Sequence, residues 1–196
     1  MRILGISGSL RRDSYNTALL RHAGDLFEAE GAEFEIYDGL RDVPPYDEDC
    51  DTEHAPEAVS RMREAVRDAD ALFFVTPEYN SSIPGALKNA LDWISRPFAT
   101  NALRYKPVAV IGASTGMFGA VWAQAELRKV LGAMGARVVE GEVAVGHADT
   151  RFGLKAEAKV DRDKFGVSWN NPLPNGEPAL SNEVTISVDL QLSKQA

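Results

Sequence analysis

Short apolar segments alternate with helical patterns along most of the chain, and this alternation restricts the possible folds more than any other feature. Strands are predicted at residues 2–7, 32–38, 71–77, 106–114 and 136–145. Helices are predicted between them at residues 16–31, 56–70, 83–95 and 120–135. The third strand, "ALFFVTP", is apolar throughout, which is typical of a strand buried on both faces of a parallel sheet. The pattern therefore predicts an α/β fold, a doubly wound parallel sheet with helices on both faces.

The C-terminal part of the chain breaks this alternation. After Gly146 no amphipathic helix follows the fifth strand, and "LKAEAKVDRD" and "NEVTISVDLQLSK" instead alternate polar and apolar residues with period two. The segment between them, "WNNPLPNGEPALS", is rich in turn-forming residues, so a β-hairpin is predicted in place of the last helix. We expect two parts, an α/β domain at residues 1–150 and an appended β-hairpin segment at residues 151–196.

Composition narrows the possible partners and the cellular location. The formal net charge is -8, from 21 basic and 29 acidic residues, so a nucleic-acid partner is not expected. No segment approaches the ~18 apolar residues that a membrane helix needs, and no membrane partner is expected. The opening "MRILGI" is too short for a signal sequence, which favours a cytoplasmic protein.

The residues that most often ligate metals are few and scattered. His22, His54 and His147 are far apart in the sequence, so no metal site is predicted. Cys50 is the one cysteine and lies in the acidic segment "YDEDCDTEH", where neighbouring carboxylates should raise its pKa. We expect an inert surface thiol.

Three loops follow the carboxyl ends of predicted strands, where open parallel sheets bind their ligands. They are "SGSLRRDSYN", "TPEYNSS" and "GASTGMFG". The first suits a phosphate because it combines short polar side chains, an arginine and the start of a helix, and Gly5 and Gly8 would let the backbone approach closely. It is neither a Walker loop nor a dinucleotide fingerprint. Serine and glycine are also ordinary turn residues, so a purely structural turn remains an alternative.

The second and third loops suit a flat ring. Tyr79 has no obvious core to fill and could border a heterocycle, with Asn80 bonding its polar edge. The same loop also suits a helix entry capped by Ser81 or Ser82. In the third loop, small residues permit a planar ligand to approach closely.

Together these loops resemble the NADPH-dependent FMN reductase family of flavodoxin-like proteins, which includes chromate, quinone and azo-dye reductases. The resemblance rests on "GSLRRDSYN", "TPEYNSSIPGALKNALDWISRP" and "GASTGMFGA" and covers residues 1 to about 150. It implies a flavodoxin-like five-stranded sheet of order 2-1-3-4-5. The residues that it implies for the FMN phosphate are Ser9, Arg11, Ser14 and Asn16. Those implied for the isoalloxazine are Pro77, Glu78, Tyr79 and Asn80, with Ser114 and Gly116 at its far side or the ribityl chain.

The resemblance also implies a redox activity. NADPH or NADH would reduce FMN, and the electrons would pass to quinones, azo dyes, oxidised metals such as chromate, or free flavin. No side chain need act as a catalytic acid or nucleophile, because the cofactor performs the chemistry. A flavodoxin-type FMN electron carrier, without nicotinamide reductase activity of its own, is the alternative. A chain that the tail leaves without cofactor is a third possibility.

The resemblance also predicts how subunits assemble and where this sequence departs from the family pattern. The resemblance implies a homodimer or homotetramer, with the helix ending near Trp93 and the region around Phe118 as contact surfaces. Ser81, Thr115 and Met117 stand where the family often has glycine, proline and arginine.

Residues 153–196 resemble the closing strands of the YceI family, a lipocalin-like barrel, but are too few to close one. Without the last helix, Val138, Val143 and Val145 are expected to be exposed unless the hairpin or another subunit covers them.

Overall fold

The computed structural model describes residues 1–141 and 143–146, together with the backbone of two strands at 153–161 and 183–191. The helices are α1 (Tyr15–Ala29), α2 (Glu57–Asp68), α3 (Gly85–Ile94) and α4 (Val121–Ala133). The strands are β1 (Arg2–Ser7), β2 (Glu33–Tyr37), β3 (Ala71–Thr76), β4 (Pro107–Ala113), β5 (Arg137–Val138), β6 (Ala144–Val145), β7 (Gly153–Asp161) and β8 (Glu183–Gln191). Single 3-10 turns occur at Gly39–Asp42, Glu48–Cys50 and Phe98–Thr100.

Five parallel strands form the sheet in the order β2-β1-β3-β4-β5, and β6 also pairs with β4. The predicted strand order and the α/β class are therefore confirmed. In β3, Leu72 and Phe74 belong to one buried core cluster and Phe73 and Val75 to the other. Since side chains alternate across a strand, an unbroken apolar run supplies both cores, and helices must cover both faces of the sheet.

The fifth strand is not continuous as predicted over residues 136–145. It is divided into β5, which pairs with the start of β4, and β6, which pairs with its end. Between them, the guanidinium of Arg128 on α4 donates to the carbonyl of Val110 at 3.1 Å and to that of Gly141 at 2.6 Å. A side chain therefore satisfies a β4 carbonyl where strand pairing is interrupted, and the backbone can leave the ladder without an unpaired buried acceptor.

The apolar residues of this region are buried or partly buried. Val145 is buried, Val138 packs against the larger core cluster, and Val143 is partly buried. None of the three is exposed, as was expected only if the hairpin or another subunit covers them, so the covering role of the hairpin stays a prediction. The tail's role in covering this region lies outside the described residues.

Side chains of α3 form hydrogen bonds to the segment between β2 and α2. The carbonyl of Pro44 accepts from Asn89 Nδ2 and from Trp93 Nε1, both at 2.8 Å. Arg63 on α2 donates to the carbonyl of Trp93 at 2.7 Å and to Asp51 at 2.9 Å. Trp93 is fully buried. The tryptophan itself is therefore part of the core, and the role of the helix that ends near it as a subunit contact surface stays a prediction.

Cys50 lies in this same segment and is exposed. The negative charge of Asp47, whose carboxylate lies 3.7 Å from the Cys50 sulfur, raises the pKa of the thiol above its ordinary value. This agrees with the effect expected from the acidic sequence.

The predicted C-terminal hairpin strands are present. β7 and β8 pair in antiparallel register from Gly153 opposite Gln191 to Asp161 opposite Glu183, and form a two-stranded sheet of their own. Their connection lies outside the described residues. Within the described ranges, no helix is both long and apolar enough to cross a membrane.

Two glycines differ in the space around them, and this difference gives a matched test of packing. A methyl group at Gly146 would lie 2.2 Å from the carbonyl oxygen of Met117, whereas one at Gly132, on the exposed side of α4, would meet nothing within 4 Å. We expect Gly146→Ala to lower the free energy of unfolding by about 1–3 kcal/mol, since backbone must move. Gly132→Ala should raise it by roughly 0.5–1 kcal/mol through helix propensity.

Urea denaturation of both variants measures this difference. Equal stability of the two variants would show that the contact at Gly146 is not tight.

Candidate functional site

Three loops leave adjacent strands at one edge of the sheet, as the sequence predicts. Ser7, at the end of β1, lies opposite Val75, and Thr76, at the end of β3, lies opposite Gly112. The N–H of Gly8 donates to the carbonyl of Val75 at 2.8 Å, which extends the contact one residue into the first loop. The carboxyl ends of β1, β3 and β4 therefore bring the three loops together.

The first loop presents unused backbone donors at the start of a helix. Ser14 is the N-cap of α1, and its Oγ accepts from the N–H groups of Asn16 at 3.2 Å and Thr17 at 3.4 Å. Among the described residues, no hydrogen-bond acceptor is found for the N–H groups of residues 12–15. Free N–H groups at the start of a fifteen-residue helix favour an anion.

Ser9 and Arg11 lie in the same loop. The Oγ of Ser9 accepts from the N–H of Arg11 at 3.3 Å. Arg11 is exposed, its guanidinium donates to the carbonyl of Asp13, and it lies 5.5 Å from the centre of the Tyr15 ring. The structure thus places this positive charge beside the free N–H groups, where an anion would meet both.

Asn16 connects the first loop to the third. Its side chain is buried and donates through Nδ2 to the carbonyl of Ala113 at 2.9 Å, while Oδ1 accepts from the N–H of Ala113 at 2.9 Å. The amide group thus pairs with both backbone groups of one residue at the end of β4. This role was not anticipated from the sequence, because the two residues are 97 positions apart.

Gly5 in β1 and Gly8 in the first loop do not provide space for a ligand as expected. A methyl group at Gly5 would lie 2.5 Å from the Phe34 ring, and one at Gly8 would lie 3.0 Å from Leu87 and 3.2 Å from Thr76 Oγ1. Both positions are therefore occupied by the protein's own packing, and glycine is needed there for contact between elements.

The second loop forms a tight two-residue turn. Tyr79 and Ser82 exchange backbone hydrogen bonds of 3.0 and 3.1 Å, and the two residues between them, Asn80 and Ser81, have φ values of 53° and 60°. Both central residues are thus left-handed, as in a type I′ turn. Helix α3 begins after Pro84 without a side-chain cap, so the expectation that Ser81 or Ser82 caps it is wrong.

This turn holds two predicted ring contacts at the surface. Tyr79 is 52% exposed and Asn80 is exposed, whereas Pro77 is buried. The structure therefore brings the tyrosine and asparagine to the ligand edge of the sheet and leaves Pro77 as packing beneath the loop.

Glu78 caps helix α4. Its Oε2 accepts from the N–H groups of Trp122 at 3.0 Å and Ala123 at 3.1 Å, in the first turn of the helix. The residue before α4, Ala120, has a φ of 64° and no capping side chain. The signal available in the sequence was the absence of Ser, Thr, Asp or Asn at the start of this helix.

The third loop combines open space with exposed apolar side chains. The N–H of Ser114 donates to the carbonyl of Val145 at 2.9 Å, and the N–H of Gly116 donates to Ser114 Oγ at 3.0 Å. A methyl group at Gly116 would meet only that oxygen, at 3.4 Å. Met117 is 68% exposed, and the rings of Phe118 and Trp122 meet edge to face at 5.1 Å. A flat ligand would therefore find open space and apolar surface on one edge.

The described part of the chain contains no group of three or more His, Cys, Asp or Glu side chains placed to hold a metal ion. The edge has backbone N–H groups without an acceptor among the described residues at the start of α1, and exposed aromatic side chains in and beside the next two loops. A ligand with a phosphate at one end and a flat heterocycle at the other fits this donor set.

Comparison with known proteins gives consistent matches. A sequence model of the family described as "NADPH-dependent FMN reductase" matches residues 1–150. The chain is 49% identical over 131 residues to an NAD(P)H-dependent FMN reductase of Pseudomonas aeruginosa, covering 67% of this chain and 69% of that protein. It is 42% identical over 130 residues to a 2-hydroxy-1,4-benzoquinone reductase of a Burkholderia species, covering 66% and 69%.

A solved structure also matches. FerB, a flavoenzyme NAD(P)H:(acceptor) oxidoreductase of Paracoccus denitrificans, has a TM-score of 0.66 and 40% identity, over 71% of this chain and 75% of that one.

The pairing between Asn16 and Ala113 can be tested by replacing the side-chain amide nitrogen of Asn16 with an oxygen. Asn16→Asp removes the donor to the Ala113 carbonyl and sets a carboxylate against it, so we expect a loss of about 1–3 kcal/mol in the free energy of unfolding. Ala18→Asp is the control, because it adds the same charge to an exposed position of α1 and should change stability by only about 0.5 kcal/mol. Urea denaturation measures both, and equal losses would contradict the assigned role.

Proposed function

Because the chain belongs to the NADPH-dependent FMN reductase family, we propose that it is an FMN-dependent NAD(P)H oxidoreductase that passes electrons to small acceptors, quinones foremost. The observation that carries the proposal is the convergence of three loops at the carboxyl edge of the sheet, with free N–H groups at the start of α1. When bound, FMN supplies the redox chemistry by accepting hydride from the nicotinamide and releasing electrons to the acceptor.

In this proposal the first loop binds the phosphate end of FMN. Ser9, Arg11 and Ser14 contribute hydroxyl and guanidinium donors, and the N–H groups of residues 12–15 contribute backbone donors. Asn16 contributes through its position, since its side chain joins α1 to β4 and holds the loop against the third strand end.

The second and third loops bind the flavin ring in this proposal. Tyr79 and Asn80 border the ring from the turn, while Pro77 and Glu78 support it from below. Oε2 of Glu78 accepts from two N–H groups of α4, so in this proposal the residue reaches the ring through its backbone. Ser114 and Gly116 approach from the third loop, where the missing side chain of Gly116 leaves open space.

The exposed apolar residues beside these loops support quinone-like acceptors. Met117 and Phe118 are 68% and 56% exposed in the loop before α4, and Trp122, in the first turn of α4, is 48% exposed. Glu78 joins this helix to the second loop. An exposed cluster of this kind suits a flat, weakly polar molecule. The quinone reductase names of several relatives support the same acceptor class.

We further propose that the protein acts in the cytoplasm as a homodimer or homotetramer. A chain whose one cysteine cannot form an internal disulfide suits a reducing compartment, and the exposed Phe118 and Trp122 offer apolar surface for a second subunit.

The chain has two parts in this proposal. Residues 1–150 form the FMN-binding domain, supported by the extent of the family match, and residues 151–196 form an appended segment related to the closing strands of the YceI family. The separate two-stranded sheet of β7 and β8 supports this division.

The visible spectrum of the purified protein tests the function directly. We expect a flavin band near ~450 nm that is lost rapidly when NADPH is added without oxygen and returns when a quinone is added. A flavin band that persists with NADPH and NADH would indicate an electron carrier instead. A colourless protein that cannot be reconstituted with FMN would contradict the proposal.

Substitutions of two neighbouring arginines test the assignment of the first loop to the FMN phosphate. Arg11→Ala should weaken FMN binding about 10- to 100-fold, which corresponds to a charge-assisted hydrogen bond of roughly 1.5–3 kcal/mol. Arg12→Ala removes the same charge from the next exposed residue and should change the FMN dissociation constant by less than about fivefold, as for surface charges. Equal effects in a flavin fluorescence titration would argue against a specific contact by Arg11.

A further inference from the structure

We propose that Glu126, which lies outside every motif singled out in the sequence, is a positioning residue that fixes the turn at residues 79–82 for flavin binding. The inference rests on the proposed function, because it assigns Glu126 a role at the same site. Glu126 does not itself contact a ligand in this proposal. It acts through Ser82, one of the two residues that close the turn.

Glu126 forms two hydrogen bonds to the closing end of the turn. Its Oε2 accepts from Ser82 Oγ at 2.5 Å and from the N–H of Ile83 at 3.4 Å. The hydroxyl bond is short, as expected for a donor that meets a charged carboxylate. Ser82 in turn forms both backbone hydrogen bonds that close the turn with Tyr79. Glu126 therefore holds one of the two residues that close the turn.

A second carboxylate, that of Glu78, connects the residue before the turn to the same helix. Glu78, just before the turn, accepts from the N–H groups of Trp122 and Ala123, and Glu126 lies one helical turn after Trp122 on the same face of α4. The residues on both sides of the turn are thus hydrogen bonded to the first two turns of α4. The two attachments join residues 44 positions apart, so they fix the turn relative to the body of the domain.

The turn needs such external support. Asn80 and Ser81 both have left-handed backbone conformations, which asparagine tolerates but which are sterically unfavourable for serine. Strained conformations of this kind persist when the surrounding contacts determine them. The turn itself has only the two backbone bonds between Tyr79 and Ser82, and a hairpin that short is marginal alone.

Loss of Glu126 should therefore loosen the turn and misplace Tyr79 and Asn80. Hydrogen exchange of the Tyr79 and Ser82 amides reports this directly in the protein without FMN, because those two amides form the turn's own bonds. We expect exchange of the segment 77–83 to be about tenfold faster in Glu126→Ala than in the wild type. Glu126→Gln retains an acceptor for the Ser82 hydroxyl and should exchange close to the wild-type rate.

The FMN dissociation constant links the turn to the site. We expect it to rise about tenfold in Glu126→Ala and less than about threefold in Glu126→Gln. Glu64→Ala, which removes an exposed glutamate from α2, is the matched control and should leave both measurements unchanged. Circular dichroism establishes that each variant is folded, and Glu126→Gln remains informative if the alanine variant is not.

A double-mutant cycle separates a positioning role from general stabilisation. If Glu126 acts through Ser82, the FMN dissociation constant of Glu126→Ala combined with Ser82→Ala should match that of Ser82→Ala alone within about twofold. Additive effects would overturn the inference, as would unchanged exchange in Glu126→Ala or faster exchange with unchanged FMN affinity. A wild-type protein that bound no FMN would defeat the proposed function, while exchange in the FMN-free chain would still decide whether Glu126 fastens the turn.

Discussion

The burial of β3 on both faces is the constraint on which the rest of the structure depends. Its side chains alternate between two core clusters, so each face of the sheet must be covered by helices, and both neighbouring strands must lie parallel to it. Parallel neighbours require crossover helices, which return the chain to the amino edge before each new strand. All three ligand loops consequently emerge at the opposite edge, beside one another.

At that edge the loops are held by side chains instead of by strand pairing. The backbone ladder ends near Ser7, Thr76 and Ala113, where the strands end. Beyond it, the amide of Asn16 joins the first loop to the third strand end, and the carboxylate of Glu78 joins the second loop to α4. Each of these groups pairs with two backbone positions or two backbone atoms, which gives the loops a fixed arrangement without a regular sheet.

The periodicity of the sequence was sufficient to predict β1 to β4, all four helices and the edge at which the loops meet, because these follow from local patterns of apolar residues. The break between β5 and β6 was not predictable, since it depends on the guanidinium of Arg128 reaching a β4 carbonyl. The roles of Asn16 and Glu78 were missed for the same reason, as their partners are distant in sequence. Gly5 and Gly8 were misread because glycine gives no indication of whether protein or ligand occupies its space.

The residues at the end of β6 pack closely against the backbone of the third loop, and this contact couples their positions. Residues 144–146 end the described part of the α/β body, and methyl groups at Gly119 or Gly146 would collide with backbone across this contact. No side chain separates the backbone at Gly146 from that at Met117, so a displacement of residue 146 would also move the carbonyl of Met117. An insertion beside residue 146 that moves its backbone is therefore expected to move the third loop at Met117 as well.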